Sequence, residues 1–143
     1  MNTNYAGFWK RFCANFIDTI ITQIVAMIVA FIFGFVIGMS GGSEVEGTIV
    51  GGIIGIVLPW IYYAAMESSS KQATLGKMAL GIKVTSIEGE KISFGKASGR
   101  YFGKILSTFT LLIGYFMVAF TEKKQGLHDI VAGCLVLNKN KIQ

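Results

Sequence analysis

The sequence predicts an all-α membrane protein. It would consist of a transmembrane helical hairpin, a third apolar segment that is interfacial, re-entrant or spanning, and a small cytoplasmic β element. Three observations carry this. Of 143 residues, 52% are hydrophobic and only 15% charged, whereas soluble domains carry roughly a quarter charged residues. Mean hydropathy is +0.58. The apolar residues gather into long runs, and the 13 basic residues flank those runs instead of covering a soluble surface. One proline, two cysteines and no Gly-X-Y period exclude disorder, a fibrous repeat and a disulfide scaffold. The net charge of +5 does not point to nucleic acid, which would need the bases on a water-exposed face. Residues 1–143 read as one membrane domain.

The first apolar run, 16–39, has Asp18 as its single ionisable group, and the second, 48–66, has no charged residue. Each is long enough for a hydrocarbon core, which takes about 20 residues in a helix. Between them, 40–47 is a Gly/Ser-rich turn holding Glu44 and Glu46 and no base, so the two runs form a hairpin. A cleaved signal peptide fits the N-terminus poorly. Its apolar core should be short and uninterrupted, but Asp18, Thr19, Thr22 and Gln23 break this one and it continues to Met39.

Basic residues orient the hairpin. Lys10 and Arg11 precede the first span, seven bases lie between Lys71 and Lys104, and Lys123, Lys124, Lys139 and Lys141 follow the third run. The loop 40–47 has none. The N-terminus is therefore expected in the cytoplasm, and the chain in the inner (cytoplasmic) membrane as a multi-pass protein.

The third run, 105–120, is short for a span and contains Gly114. Lys96, Arg100 and Lys104 recur every four residues just before it. That pattern predicts an interfacial helix whose basic arms snorkel towards headgroups, and favours two full spans plus an interfacial or re-entrant segment over three spans. Within the loop 67–104, Thr74 to Gly81 has the start and stop signals of a short helix. Ile82–Ile87 and Lys91–Phe94 could form a hairpin around Glu88-Gly89-Glu90. Residues 133–137 form another candidate strand, and pairing it with 81–85 would require an even number of crossings.

The first helix carries the chemistry. Arg11, Asn15, Asp18 and Thr22 line one helix face, with Thr19 and Gln23 on its shoulder. A carboxylate inside a span costs about 2.5–3.5 kcal/mol, so Asp18 must face protein or water, pair with a cation, or stay protonated. One reading is an ion or proton site, with Asn15, Thr19, Thr22 and Gln23 as hard oxygen ligands. The other is a packing device in which Asp18 bridges to a base on another helix. His128-Asp129 has no second histidine and no carboxylate at ligand spacing, so neither a metal site nor hydrolytic chemistry is expected, and no cofactor. Asp129 should cap a turn or pair with a base.

Other signals are weaker. The Gly-xxx-Gly pairs at 34/38, 47/51 and 51/55 permit close helix approach and self-association. Pro59 is a hinge or merely a bend. Trp9, Trp60, Tyr62, Tyr63 and Tyr101 suit interfacial belts. Cys13 and Cys134 fall at a reducing face and should be free thiols.

Four ordered motifs resemble the RDD family of small bacterial membrane proteins. They are Gly7-Phe-Trp-Lys-Arg11 through Asp18; Ala73-Thr-Leu-Gly-Lys77 through Gly81-Ile-Lys-Val-Thr; Ser93-Phe-Gly-Lys-Ala97 with Arg100; and Gln125-Gly-Leu-His128-Asp129 through Gly133. Leu75 stands where the family usually has proline. The resemblance implies Arg11, Asp18 and Asp129 as the signature residues. It also implies a suspicion of transport, with sodium/proton antiport proposed for some members.

Two functions follow as expectations. In the first, a small non-enzymatic transporter, working as a homo-oligomer, exchanges Na+ or another monovalent cation for H+. Asp18 is its carboxylate, Asn15, Thr19 and Thr22 are ligands, and Arg11 tunes the site or pairs with Asp129 to close it. In the second, a non-transporting adaptor binds anionic lipid or a partner membrane protein, and Arg11, Asp18 and Asp129 are structural locks.

Overall fold

A computed structural model of the chain describes residues 5–109 and 113–139. Residues 110–112 of the third apolar run, and Lys141, lie outside the described residues. Two long helices dominate. α1 spans Phe8–Met39 and α2 spans Glu44–Ser68. At 1.5 Å per residue they are about 48 and 38 Å long, more than the roughly 30 Å of a hydrocarbon core. Both exceed the apolar runs that predicted them. α1 starts a turn before Arg11, and α2 takes in Glu44 and Glu46 because Ser43 caps it: Glu46 N–H donates to Ser43 Oγ at 3.3 Å, and Ser43 N–H donates to Glu46 Oε2 at 3.0 Å. The turn thus shrinks to 40–43. α2 continues unbroken through Pro59.

The outer surface of α1 is apolar and exposed: Phe16 is 60%, Phe31 74% and Met39 76% accessible. Soluble monomers rarely expose an apolar surface of this extent, and it suits a bilayer. The buried line of α1 is Ala14, Asp18, Thr22 and Ala26, a four-residue repeat of small or polar side chains that lets its neighbours approach closely.

The remaining elements close one end of the hairpin. α3 is Leu75–Ala79, β1 Ile82–Ser86, α4 Phe94–Phe109, α5 Ile113–Phe120, α6 Leu127–Ala132 and β2 Cys134–Asn138. β1 and β2 pair antiparallel, Ile82 opposite Asn138 and Ser86 opposite Cys134. The other edge of β2 takes Ala6, whose N–H donates to Val136 O at 2.8 Å, and β1 is met by Gln72 through Val84 N–H to Gln72 O, also 2.8 Å. Both edges of this two-stranded ribbon are therefore covered. Its inward face, Ile82, Val84, Cys134 and Val136, packs with Ala6, Ala14, Ala64, Ile92 and Ala97 into the core.

Because β1 and β2 pair, the chain between them leaves and returns at the same end of the hairpin. α5 has eight residues, about 12 Å of helix, too short to cross alone. Two expectations need correction. Residues 91–94 form no strand: the turn closes with Ser86 N–H on Glu90 O at 2.8 Å, but Ser93 then starts α4, its Oγ accepting Lys96 N–H at 3.2 Å. Nor do the arms of α4 all snorkel. Lys96 is exposed, but Arg100 and Lys104 are buried, because α4 packs against α2 and α6, where carboxylates await them.

Candidate functional site

Asp18 is fully buried and joins α1 to α3. Its Oδ1 accepts the Gly76 N–H at 2.8 Å and the Tyr62 hydroxyl at 2.8 Å, and its Oδ2 accepts the Thr74 hydroxyl. Thr74 is also the N-cap of α3, its Oγ accepting Lys77 N–H at 3.4 Å. The carboxylate thus sits at a helix start that presents N–H donors to it. Gly76 is required for this approach: a Cβ there would stand 2.9 Å from Asp18 Cγ and would overlap the Ala14 carbonyl oxygen. These neutral donors stand where the packing-device reading of Asp18 placed a base.

The ion pairs lie one layer further out. Asp129, at the third position of α6, accepts Arg100 Nε on Oδ1 at 2.6 Å, and Arg11 Nη1 and the Gly126 N–H (3.1 Å) on Oδ2. Arg100 Nη1 also reaches both oxygens of Glu67 at 2.8 Å, and Lys77 Nζ pairs with Glu67. Arg11, Asp129, Arg100, Glu67 and Lys77 therefore form one chain of charges across α1, α6, α4, α2 and α3. Lys104, one turn after Arg100, reaches Asn15 Oδ1 at 3.4 Å and lies 4.5 Å from the centre of the Tyr63 ring.

Electrostatics follow from burial and pairing. Burial alone would raise the Asp129 carboxyl, but Arg100 and Arg11 hold it well below the usual carboxylate range. Burial would lower Arg100, and Asp129 and Glu67 raise it above its ordinary value instead. Lys77 ends below its ordinary value: burial outweighs the help of Glu67. Lys104 is pushed down to about 7, by burial first and the Lys77 charge second. Burial takes His128 down to about 3, so it stays neutral at physiological pH.

A cavity of about 370 Å³ opens beside this network, its lining including the polar Arg11, Asn15, Lys77, Arg100 and Lys104 and the apolar Phe8, Phe12, Phe16 and Phe116. A second, of about 260 Å³, has Asn15, Thr19, Thr22, Gln23, Gly55, Pro59 and Tyr63 in its wall. Asn15, Thr19, Lys104 and Thr108 line both. The predicted oxygen ligands Asn15, Thr19 and Thr22 thus share a space, while Asp18 lines neither cavity. Arg11 meets Asp129, as the closing contact conjectured from sequence had it. The second cavity also includes Gly55, whose carbonyl Pro59 frees from the helix ladder.

Glu67, Lys77, Arg100 and Lys104 escaped notice as site residues. Arg100 and Lys77 stood within recognised motifs, and Glu67 is the first acid after the second apolar run, which is a usable signal. Among the described residues, no three His, Cys, Asp or Glu side chains come together as a metal site. Cys13 and Cys134 are both free thiols.

A transmembrane hairpin closed at one end by a small ion-paired cap defines a class of compact helical membrane protein. This chain belongs to the RDD family, whose model matches residues 5–133. It is 48% identical over 84 residues to the uncharacterized protein YxaI of Bacillus subtilis (strain 168), a match covering 59% of this chain and 55% of that protein. The chain thus spans only about half the length of that relative. It is also 32% identical over 141 residues to the uncharacterized membrane protein YteJ of the same organism, covering 94% of this chain and 82% of that one. No solved structure matches. The family and the membrane relative make this an integral membrane protein.

Proposed function

We propose that the protein is a non-transporting, non-enzymatic membrane adaptor that holds anionic lipid at the cytoplasmic leaflet of the inner membrane, with its N-terminus cytoplasmic. One observation carries the reading. Among the described residues, the larger cavity at the closed end is lined by four basic side chains, Arg11, Lys77, Arg100 and Lys104, by no Asp or Glu, and by four phenylalanines. At headgroup level the counter-charge available to such a basic wall is the lipid itself, at about 1 kcal/mol per base near the surface.

Exchange of Na+ or another monovalent cation for H+ has less support. Asp18 oxygens are taken by three donors, which compete with a metal ion for the same lone pairs. The nearest open space is walled by lysine and arginine, which repel cations. Self-association is not needed by the adaptor.

The test is reconstitution in liposomes of mixed anionic and zwitterionic phospholipid. Anionic lipid should be enriched around the protein, and sodium, potassium or lithium should drive no proton flux. Cation-dependent flux that disappears in a folded Asp18→Asn variant would overturn the reading and restore the exchanger.

A further inference from the structure

We infer that the larger cavity is a site for one anionic phospholipid, its phosphate held among Arg11, Lys104 and Asn15 and an acyl chain laid along Phe12, Phe16 and Phe116. This rests on the adaptor reading and gives its lipid a place, a stoichiometry and a headgroup chemistry.

The volume fits. At about 370 Å³ the cavity is within the roughly 300–1,000 Å³ of small-ligand sites. It has room for a headgroup and the start of a chain, not for a whole two-chain lipid. Its wall is divided. Arg11, Lys77, Arg100 and Lys104 all contribute, and no Asp or Glu does. Glu67 and Asp129 fix Arg11, Lys77 and Arg100 through ion pairs and do not themselves line the cavity. Pre-set guanidinium and ammonium groups on separate helices suit the spread oxygens of a phosphate.

One donor is left for such a ligand. Arg11 spends Nη1 on Asp129 and Nε on the Ala6 carbonyl at 3.1 Å, while its Nη2 is buried with no hydrogen-bond partner among the described residues. Buried donors in this state are rare and call for an explanation; an absent phosphate oxygen supplies one.

The apolar lining says where the ligand enters. Phe12, Phe16 and Phe116 line the cavity and are also 54%, 60% and 51% accessible on the outer surface. The apolar wall is therefore continuous with the bilayer-facing surface of the hairpin. A free phosphate has no use for that wall, whereas a lipid sliding in sideways keeps its chain on phenylalanine and brings its phosphate to the bases. The second cavity, joined through Asn15, Thr19, Lys104 and Thr108, is more polar and offers a chain no comparable surface.

The experiment is native mass spectrometry of the full-length protein released from nanodiscs of equimolar phosphatidylglycerol and phosphatidylcholine. One phosphatidylglycerol per chain should survive activation that strips phosphatidylcholine. Lys104→Met should lower its occupancy about tenfold or more, Lys104→Arg should restore it, and Phe16→Ala should weaken retention without changing helicity by circular dichroism. Lys123→Ser with Lys124→Ser, exposed bases outside the cavity, should leave it unchanged. If no version retains phosphatidylglycerol, the adaptor reading and the site fall together. If the lipid is retained but depends on Lys123 and Lys124 and not on Lys104, the adaptor stands and this site is overturned. Displacement by millimolar inorganic phosphate would make it a free-anion site and overturn the lipid.

Discussion

Gly76 and Asp18 meet across α3 and α1 at a distance that admits no side chain between them. The Gly76 N–H donates to Asp18 Oδ1 at 2.8 Å, and a Cβ on Gly76 would overlap the Ala14 carbonyl oxygen, which is backbone and cannot turn aside. Gly76→Ala should therefore lift α3 off α1 and destabilise the protein by about 1–3 kcal/mol, the usual cost of overpacking. Gly99→Ala is the contrast. A Cβ at Gly99 meets nothing within 4 Å, and this interior position of α4 should gain up to about 1 kcal/mol from alanine. Thermal unfolding in mild detergent measures both, and equal effects would sink the contact as described.

The Tyr62 hydroxyl is a relay between α3 and Asp18. It accepts the Leu75 N–H at 3.1 Å and donates to Asp18 Oδ1 at 2.8 Å. Proline at position 75 would keep the start of α3, where its fixed φ is favoured, but has no N–H to give. Tyr62→Phe should cost about 1 kcal/mol, and Asp18→Asn, which replaces a charged acceptor, about 1.5–3 kcal/mol. Leu75→Pro should weaken the wild type yet cost nothing further in the Tyr62→Phe background. Additive losses in that double-mutant cycle would mean the relay is not formed.

Asp129 holds two guanidinium groups, and its removal leaves both buried. Asp129→Asn should cost about 3–5 kcal/mol, as for other broken buried pairs, and be seen first as lost expression. The pH dependence has a definite sign. Asp129 lies below its ordinary 3.8 in the folded protein, so its stabilisation is full above that value and is lost progressively as pH falls from there towards the lower folded value. His128 is neutral in the fold down to about 3, against 6.5 when free. Between those values only the unfolded chain takes the proton, and stability falls as pH drops across that window. A His128→Asn variant should therefore lose the upper part of the acid transition and keep the lower.

What could be read from the residues, and what could not, divides along physical lines. The hairpin was legible because a bilayer demands long apolar runs, and 16–39 and 48–66 supply them. The pairing of Ile82–Ser86 with Cys134–Asn138 was legible because both are short apolar strand-like stretches. The fate of Arg100 and Lys104 was not. Their four-residue spacing fits a solvated basic face and a buried ion-paired face equally well, and only the position of Glu67 and Asp129 on neighbouring helices decides between them. Asp18 was recognisable as anomalous, yet its partners are a backbone N–H and two hydroxyls 44 to 58 residues away, which no periodicity on α1 encodes.

Lys104 supplies the last prediction. It faces Glu67 and the Tyr63 ring from α2, Lys77 from α3, Arg100 from its own helix, Arg11 from α1, and His128 and Asp129 from α6. Burial, then Lys77, brings it to about 7 from an ordinary 10.5. Between those values the unfolded chain holds the proton and the folded one does not, so stability rises with pH across this window; below about 7 the cost of a buried charge is present in full. Lys104→Met should consequently stabilise the protein below about pH 7, on the order of a few kcal/mol, and the gain should shrink to nothing towards pH 10.5. Melting curves across that range in neutral detergent measure it. With phosphatidylglycerol added, a bound phosphate favours the charged lysine and moves its titration upward, so the gain from Lys104→Met below pH 7 should diminish or reverse. A pH-independent gain would mean that Lys104 does not titrate in the fold, and a gain indifferent to the lipid would separate it from the phosphate site.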